Sequence, residues 1–240
     1  AKNFEVPNGM LIEKLEFEKN KQETLNNIIN KIGLPAIIKP HDDGCSVLVQ
    51  KAKTEQELES CIEKIFLTDK THALIEEFIT GMELTVGVIG NDNPKALPPS
   101  QTVTTKDVLS IEEKFLPGAG ENQTPANLPQ SAIEFVQNKI EQVYQSLNCK
   151  GYSRIDCFYQ NEKQSPNGKE RLVIIEINTL PGMTPATCIF HQATEAGMQP
   201  MEFIDKIITL GFELHKKSSK IEESKEITLE NKDLLKQFTA

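Results

Sequence analysis

The sequence predicts an α+β protein, and three observations carry that expectation. Helical periodicities and strand-like runs alternate along the chain. Successive strands are joined by hairpin-like connections, which favours α+β layers over a doubly wound sheet. The chain has 240 residues, 38% hydrophobic and 25% charged, enough to bury a sizeable core.

Taken in order, Leu25, Ile28, Ile29 and Ile32 fall at helical spacing, and Gly33 ends that helix. Ala36–Lys39 reads as a short strand stopped by Pro40. A loop, His41–Cys45, leads into a β-rich run over Ser46–Lys51. Thr54 and Glu57 form a capping-box pattern that opens a helix with Leu58, Cys61, Ile62 and Ile65 inward. Strands follow at Ala73–Phe78 and Glu83–Ile89, then a turn at Asn91–Pro94 and a strand at Ala96–Thr102. Lys106–Leu128 is polar and rich in Gly and Pro, a length of loop that points to a lid or to disorder. Ile133, Val136, Ile140, Val143 and Leu147 mark another helix. Tyr152–Phe158 and Leu172–Ile177 form a hairpin, and Thr179–Thr187 is a Pro/Gly/Thr loop. Phe203, Ile204, Ile207, Ile208, Leu210 and Leu214 predict a final buried helix, and the tail beyond His215 reads as solvated.

Charge and composition exclude several classes. The net charge of −9 argues against a general nucleic-acid binder, because phosphate affinity needs a basic surface. No apolar run approaches the roughly 20 residues that span a bilayer, and the first residues carry no secretory apolar stretch. The five scattered cysteines include no CxxC pair, which suits reduced thiols and a cytoplasmic location. Cys61, Cys149 and Cys157 read as core residues.

The hairpin holds the chemistry. Arg154 and Asp156 share one face of its first strand, and Glu176 and Asn178 share one face of its second. Antiparallel pairing gathers them at one end of one sheet face. Three of the four offer oxygen, the donor that hard divalent cations such as Mg²⁺ prefer, and Arg154 suits a phosphoryl group. On the pattern alone, a surface cross-strand charge pair fits equally well. Lys39 and Lys114 are candidates for phosphate contact, although a solvated lysine is the commoner case. The segment His41–Ser46 (HDDGCS) resembles a phosphate-covering loop, with Gly44 allowing close backbone approach, but a plain turn fits too. Neither GxxxxGK[ST] nor GxGxxG occurs. In Leu74–Glu83 (LIEEFITGME), Glu76 suits a purine amino group and Glu83 ribose hydroxyls; an acidic hairpin corner is the alternative.

In sequence order, LPAIIKPHDDGCS, LIEEFITGMELTVGVIG, EEKFLPG, CKGYSRIDCF and IIEINTLPGMTPAT resemble the ATP-grasp fold, and most closely the D-alanine–D-alanine ligase family. ENQTPANLP is similar to a further stretch of that family. The resemblance spans nearly all of residues 34–187. It implies two α+β subdomains that clasp the nucleotide between antiparallel sheets: a small one over 1–78, a large one over 79–216 with a lid loop at 106–128, and a charged tail over 217–240.

The resemblance also implies roles. Lys39 and Lys114 would contact ATP phosphates. The backbone of Gly44, Cys45 and Ser46 would cover the γ-phosphate. Glu76, with Glu77 and Ile79 beside it, would face adenine, and Glu83 the ribose. Asp156, Glu176 and Asn178 would hold two Mg²⁺ ions, with Mn²⁺ as a substitute. Arg154 would stabilise the acyl phosphate and the tetrahedral intermediate, and Gly182 and Thr187 lie where the carboxylate of the second substrate is held. The implied activity is ATP-dependent formation of D-alanyl-D-alanine, or a closely related product, for peptidoglycan precursors. The implied partners are small D-amino acids, and no nucleic acid or membrane.

Some positions depart from the family pattern. Cys45 stands in place of a serine, Leu48 in place of a glycine and Phe115 in place of a tyrosine. The tyrosines that commonly precede the loop lysine are missing from Val108–Ile111. No stretch of this sequence matches the family's N-terminal substrate domain, whose supply in cis or in trans is expected. Two alternatives therefore stand: an ATP-binding module without ligase turnover, and a ligase that joins D-alanine to a hydroxy acid such as D-lactate.

Overall fold

The computed structural model describes residues 4–44, 46–103, 121–184 and 187–216. Among these, two antiparallel sheets organise the molecule. The smaller has four strands in the order β1–β4–β2–β3: β1 (Gly9–Glu13), β2 (Ala36–Pro40), β3 (Gln50–Ala52) and β4 (His72–Glu77). The larger runs β10–β9–β5–β7–β8, with the short β6 beside β5. Its strands are β5 (Met82–Ile89), β6 (Lys95–Ala96), β7 (Ser100–Val103), β8 (Glu121–Gln123), β9 (Tyr152–Gln160) and β10 (Arg171–Asn178).

Helices cover one face of the small sheet. These are α1 (Lys14–Lys19), α2 (Lys21–Lys31) and α3 (Glu55–Phe66). The strands alternate strictly: Ala36, Ile38, Ala73 and Ile75 are fully buried, and they join Leu25, Ile28, Leu58, Ile62 and Ile65 in one core. Helix α2 ends at the expected glycine: Gly33 takes a left-handed φ of +83° and donates to the carbonyl of Ile29. The capping box at Thr54 forms in full, with Thr54 Oγ1 accepting from the Glu57 amide and Glu57 reaching back to the Thr54 amide.

Both faces of the large sheet are covered, but unequally. Helix α4 (Gln130–Ser146) packs on one face, where Val136, Ile140, Val143 and Tyr144 meet Leu84, Val86, Val88, Ile155 and Cys157. On the other face, α5 (Cys188–Glu195) and α6 (200–216) cover only the end near Ile89, through Ile189, Phe190, Phe203 and Leu210. Gly87 makes this close approach possible, since a Cβ there would sit 2.7 Å from Gln192 Oε1 and 2.9 Å from Ile189. The end of the face bearing Asp156 and Phe158 stays open toward the small sheet.

Several expectations need correction. Ser46–Leu48 is a turn and not strand, because Ser46 and Leu48 take left-handed φ of +58° and +56°; only Gln50–Ala52 pairs with β2. The strand expected over Ala96–Thr102 is split into β6 and β7 at Leu97–Pro98–Pro99, where proline cannot donate to a ladder. The end of the expected lid loop, Glu121–Gln123, pairs with β7 as a strand. The final helix buries Phe203 and Leu210 but leaves Ile208 and Phe212 exposed. Strand β1 and helices α1 and α5 are additional to the sequence reading. The lid residues 104–120, Cys45 and the tail 217–240 lie outside the described residues.

Candidate functional site

A cavity of about 350 Å³ opens between the two sheets. The small sheet contributes Ile37, Lys39, Leu74 and Glu76, the residues that its alternation turns away from the helices. The large sheet contributes Glu83, Asp156, Phe158, Ile175 and Glu176. The end of β4 adds Glu77, and the connecting segments add Gly44, Ser46, Phe78 and Ile79. Most of the residues expected at a nucleotide site therefore meet around one cavity. Arg154, Asn178, Gly182 and Thr187 do not line it. Lys114 and Cys45, expected to touch phosphate, fall outside the described residues.

Register explains the clustering on the large sheet. In β9, Arg154, Asp156 and Phe158 point away from α4, while Ile155 and Cys157 are fully buried against it. Thr85 on β5 pairs with Asp156, and its hydroxyl donates to the Asp156 carboxylate. In β10 the pairing steps from Ile174 opposite Cys157 directly to Glu176 opposite Asp156. Ile175 is therefore the extra residue of a β-bulge. In an unbroken ladder Ile175 would oppose Asp156 and Glu176 would turn into the α4 core. The bulge absorbs Ile175 into the cavity wall and sets Glu176 beside Asp156 and Asn178 beside Arg154.

Electrostatics differ between the two walls. On the small sheet, Lys39 Nζ lies 2.6 Å from Glu76 Oε2, both largely shielded from solvent. On the large sheet, Arg154 grips Asp156 through Nε–Oδ1 at 3.1 Å and Nη2–Oδ2 at 3.0 Å, and Nη2 lies 3.9 Å from Glu176 Oε1. Burial alone would lower the Arg154 pKa, but the charge and hydrogen bonds of Asp156 and the charge of Glu176 outweigh it and the net shift is upward. The guanidinium is thus a fixed cation between two carboxylates.

Around the cavity mouth, Lys70 pairs with Asp42 at 3.2 Å and Asp43 at 3.4 Å, tying the His41–Gly44 segment to the turn before β4. Glu77 accepts from the Asn8 amide. Asn178 Oδ1 accepts from the Leu180 amide and starts the loop that ends at Thr187, whose hydroxyl donates to the Thr184 carbonyl. Gly182 has open space around it.

Among the described residues, no three His, Cys, Asp or Glu side chains gather as a metal cluster. The donor set fits a hard cation in another way, as two carboxylates and an amide oxygen that leave coordination positions for phosphate and water. The thiols among the described residues are poor nucleophile candidates: burial pushes Cys61, Cys149 and, most strongly, Cys157 above the ordinary range, as it does Cys188 despite the opposing charge of Arg154.

Comparison with known proteins adds to the geometry. The family model described as "D-ala D-ala ligase C-terminus" matches residues 2–209. The chain is 31% identical to the D-alanine–D-alanine ligase of Prosthecochloris aestuarii, covering 84% of this chain and 54% of that protein. It is 36% identical to that of Halalkalibacterium halodurans, with coverage of 73% and 56%. Among solved structures, the VanG D-Ala:D-Ser ligase from Enterococcus faecalis is similar at a TM-score of 0.72 and 26% identity, over 86% of this chain and 57% of that one. The D-alanine–D-alanine ligase from Bacillus anthracis complexed with ATP is similar at 0.66 and 25% identity, over 90% and 63%. The chain spans a little over half the length of the curated relatives it matches.

Proposed function

The chain belongs to the D-alanine–D-alanine ligase family, with the ATP-grasp fold of its solved neighbours, and from that premise we propose that it is the ATP-handling part of a ligase joining D-alanine to a second D-amino acid or close analogue in peptidoglycan precursor synthesis. One observation carries the reading. A single cavity has a shielded Lys39–Glu76 pair with Gly44 and Ser46 on one wall, and Asp156 with Glu176 on the other. That is a wall for base and phosphate facing a wall for a metal.

In this reading, residues 1–78 and 79–216 act as two subdomains with the nucleotide between them, and 106–128 as a lid. Lys39 exchanges Glu76 for phosphate oxygens, with Lys114 as the lid's contribution, and Glu76 turns to the adenine amino group. The backbone of Gly44, Cys45 and Ser46 covers the terminal phosphate. Glu77 and Ile79 flank the base, and Glu83 receives the ribose. Asp156, Glu176 and Asn178 would hold Mg²⁺, which would supply charge neutralisation for phosphoryl transfer. The carboxylate of the first D-alanine takes the γ-phosphoryl as its bond to the bridging oxygen breaks and ADP leaves. The amine of the second substrate attacks that carbonyl, and phosphate leaves. Arg154 supplies a fixed cation where negative charge develops, and Gly182 and Thr187 receive the second carboxylate.

The likeness to a D-Ala:D-Ser ligase supports an acceptor class wider than D-alanine alone. The test has two arms. Calorimetry of the chain with Mg²⁺ and a non-hydrolysable ATP analogue is expected to show binding, and its absence would refute the reading. ADP release with the family's N-terminal substrate domain supplied is expected to need D-alanine plus a D-amino or D-hydroxy acid. Binding without release for any acceptor would replace the ligase by an ATP-binding module.

A further inference from the structure

The cleft face of the small sheet carries a second lysine besides Lys39. Lys51 pairs with Ile37, and Ile37 pairs with Glu76, so the three stand in one row on that face. Strand β2 lies between β3 and β4, yet Lys51 Nζ reaches across it to within 3.5 Å of the Phe78 ring centroid. That distance is well inside the range of a cation–π contact.

Phe78 is the first residue beyond β4, so no ladder hydrogen bond fixes it. Its ring forms part of the wall shared by the cleft cavity and an adjoining cavity of about 510 Å³. With space on both sides, the orientation of the ring depends on its side-chain contacts. Phe158 lines the same two cavities from the large sheet. A flat, apolar ligand group entering between the sheets would meet both rings.

We propose that Lys51 is a positioning residue for the nucleotide base: its ammonium holds Phe78 and so fixes the aromatic wall against which a purine packs. This rests on the nucleotide reading above. Lys51 acts through Phe78 and does not touch phosphate, a role distinct from that of Lys39.

The experiment is calorimetry on the full 240-residue chain with Mg²⁺, comparing a non-hydrolysable ATP analogue with tripolyphosphate, which has no base. Lys51→Met is expected to weaken the analogue about fivefold and to leave tripolyphosphate within about twofold. Lys51→Arg, which keeps a cation able to stack, is expected to restore analogue binding. Phe78→Leu should weaken the analogue similarly, and adding Lys51→Met to it should change nothing more. Equal losses for analogue and tripolyphosphate would make Lys51 a phosphate ligand and overturn the proposal. So would an unchanged analogue affinity in Lys51→Met, or independent effects of the two substitutions. If the unmodified chain binds tripolyphosphate but not the analogue, the base wall is refuted while a phosphate site stands. If it binds neither, the nucleotide reading falls and takes this inference with it.

Discussion

The two walls of the cleft use opposite charge arrangements. The small-sheet wall is balanced, with Lys39 and Glu76 paired at 2.6 Å. On the large-sheet wall, among the described residues, the guanidinium of Arg154 faces both Asp156 and Glu176. A balanced pair can only exchange partners with an incoming ligand, so it suits recognition. A cluster with more carboxylate than cation attracts a further positive charge, so it suits a metal. The difference also shows in the backbone. The small sheet keeps a regular ladder, whereas the large one breaks register at Ile175 to bring its acid into place.

The largest effect is expected on the large wall. Glu176→Gln is expected to lower Mg²⁺-dependent ADP release by about a hundredfold or more, the scale of losing part of a metal's charge stabilisation. Its side chain is 56% exposed and off the core, so the melting temperature should stay near that of the unmodified chain. Unchanged metal dependence would remove the assignment. Next come the two cores behind the walls. Ile75→Ala under the small sheet and Ile155→Ala under the large one each truncate a fully buried side chain, and each is expected to cost about 2–5 kcal/mol in denaturant titrations. Because the cores are separate clusters, their effects should add in the double variant.

Thr54→Ala removes half of the capping box and is expected to cost about 1 kcal/mol of stability without altering nucleotide affinity. The smallest concerns pH. Asp42 is pushed up by desolvation, but the hydrogen bond and charge of Lys70 outweigh this and its pKa is lowered; that of Lys70 is raised, chiefly by the Asp42 hydrogen bond. The pair therefore contributes above the ordinary carboxylate range, and its contribution fades as pH falls through the lowered Asp42 value. At the alkaline end it fades as pH rises through the raised Lys70 value. Lys70→Ala should flatten the acid limb of a stability–pH profile, and an unaltered limb would show that the exposed pair contributes nothing measurable.

Legibility in the sequence followed the range of the interactions. The capping box and the face sharing of Arg154 with Asp156 depend on residues two or three apart, and both were readable. Ser46–Leu48 was not, because hydrophobic pattern favours strand there while left-handed φ at two ordinary residues is set by the turn they complete. The bulge left one trace, the unbroken apolar run Leu172–Ile175 where alternation should have turned. The Lys39–Glu76 and Lys51–Phe78 contacts come from strand order, which no local spacing encodes. Gln192 gave no signal, since a lone glutamine in an unrecognised helix reads as surface.

That buried glutamine changes what the middle of the large sheet is made of. Where Pro98 and Pro99 part β6 from β7, β5 has a gap in its pairing. The Gln192 side chain fills it: Oε1 accepts from the Gly87 amide at 2.8 Å, and Nε2 donates to the Thr85 carbonyl at 2.7 Å and to Ser100 Oγ at 2.9 Å. One side-chain amide stands in for a peptide group of the missing strand, so a helix supplies two rungs of a sheet. The Gly87 amide proton is consequently a reporter on α5. Its exchange with deuterated solvent is expected to follow release of the Gln192 side chain, whereas neighbouring ladder amides are expected to follow opening of the strands themselves.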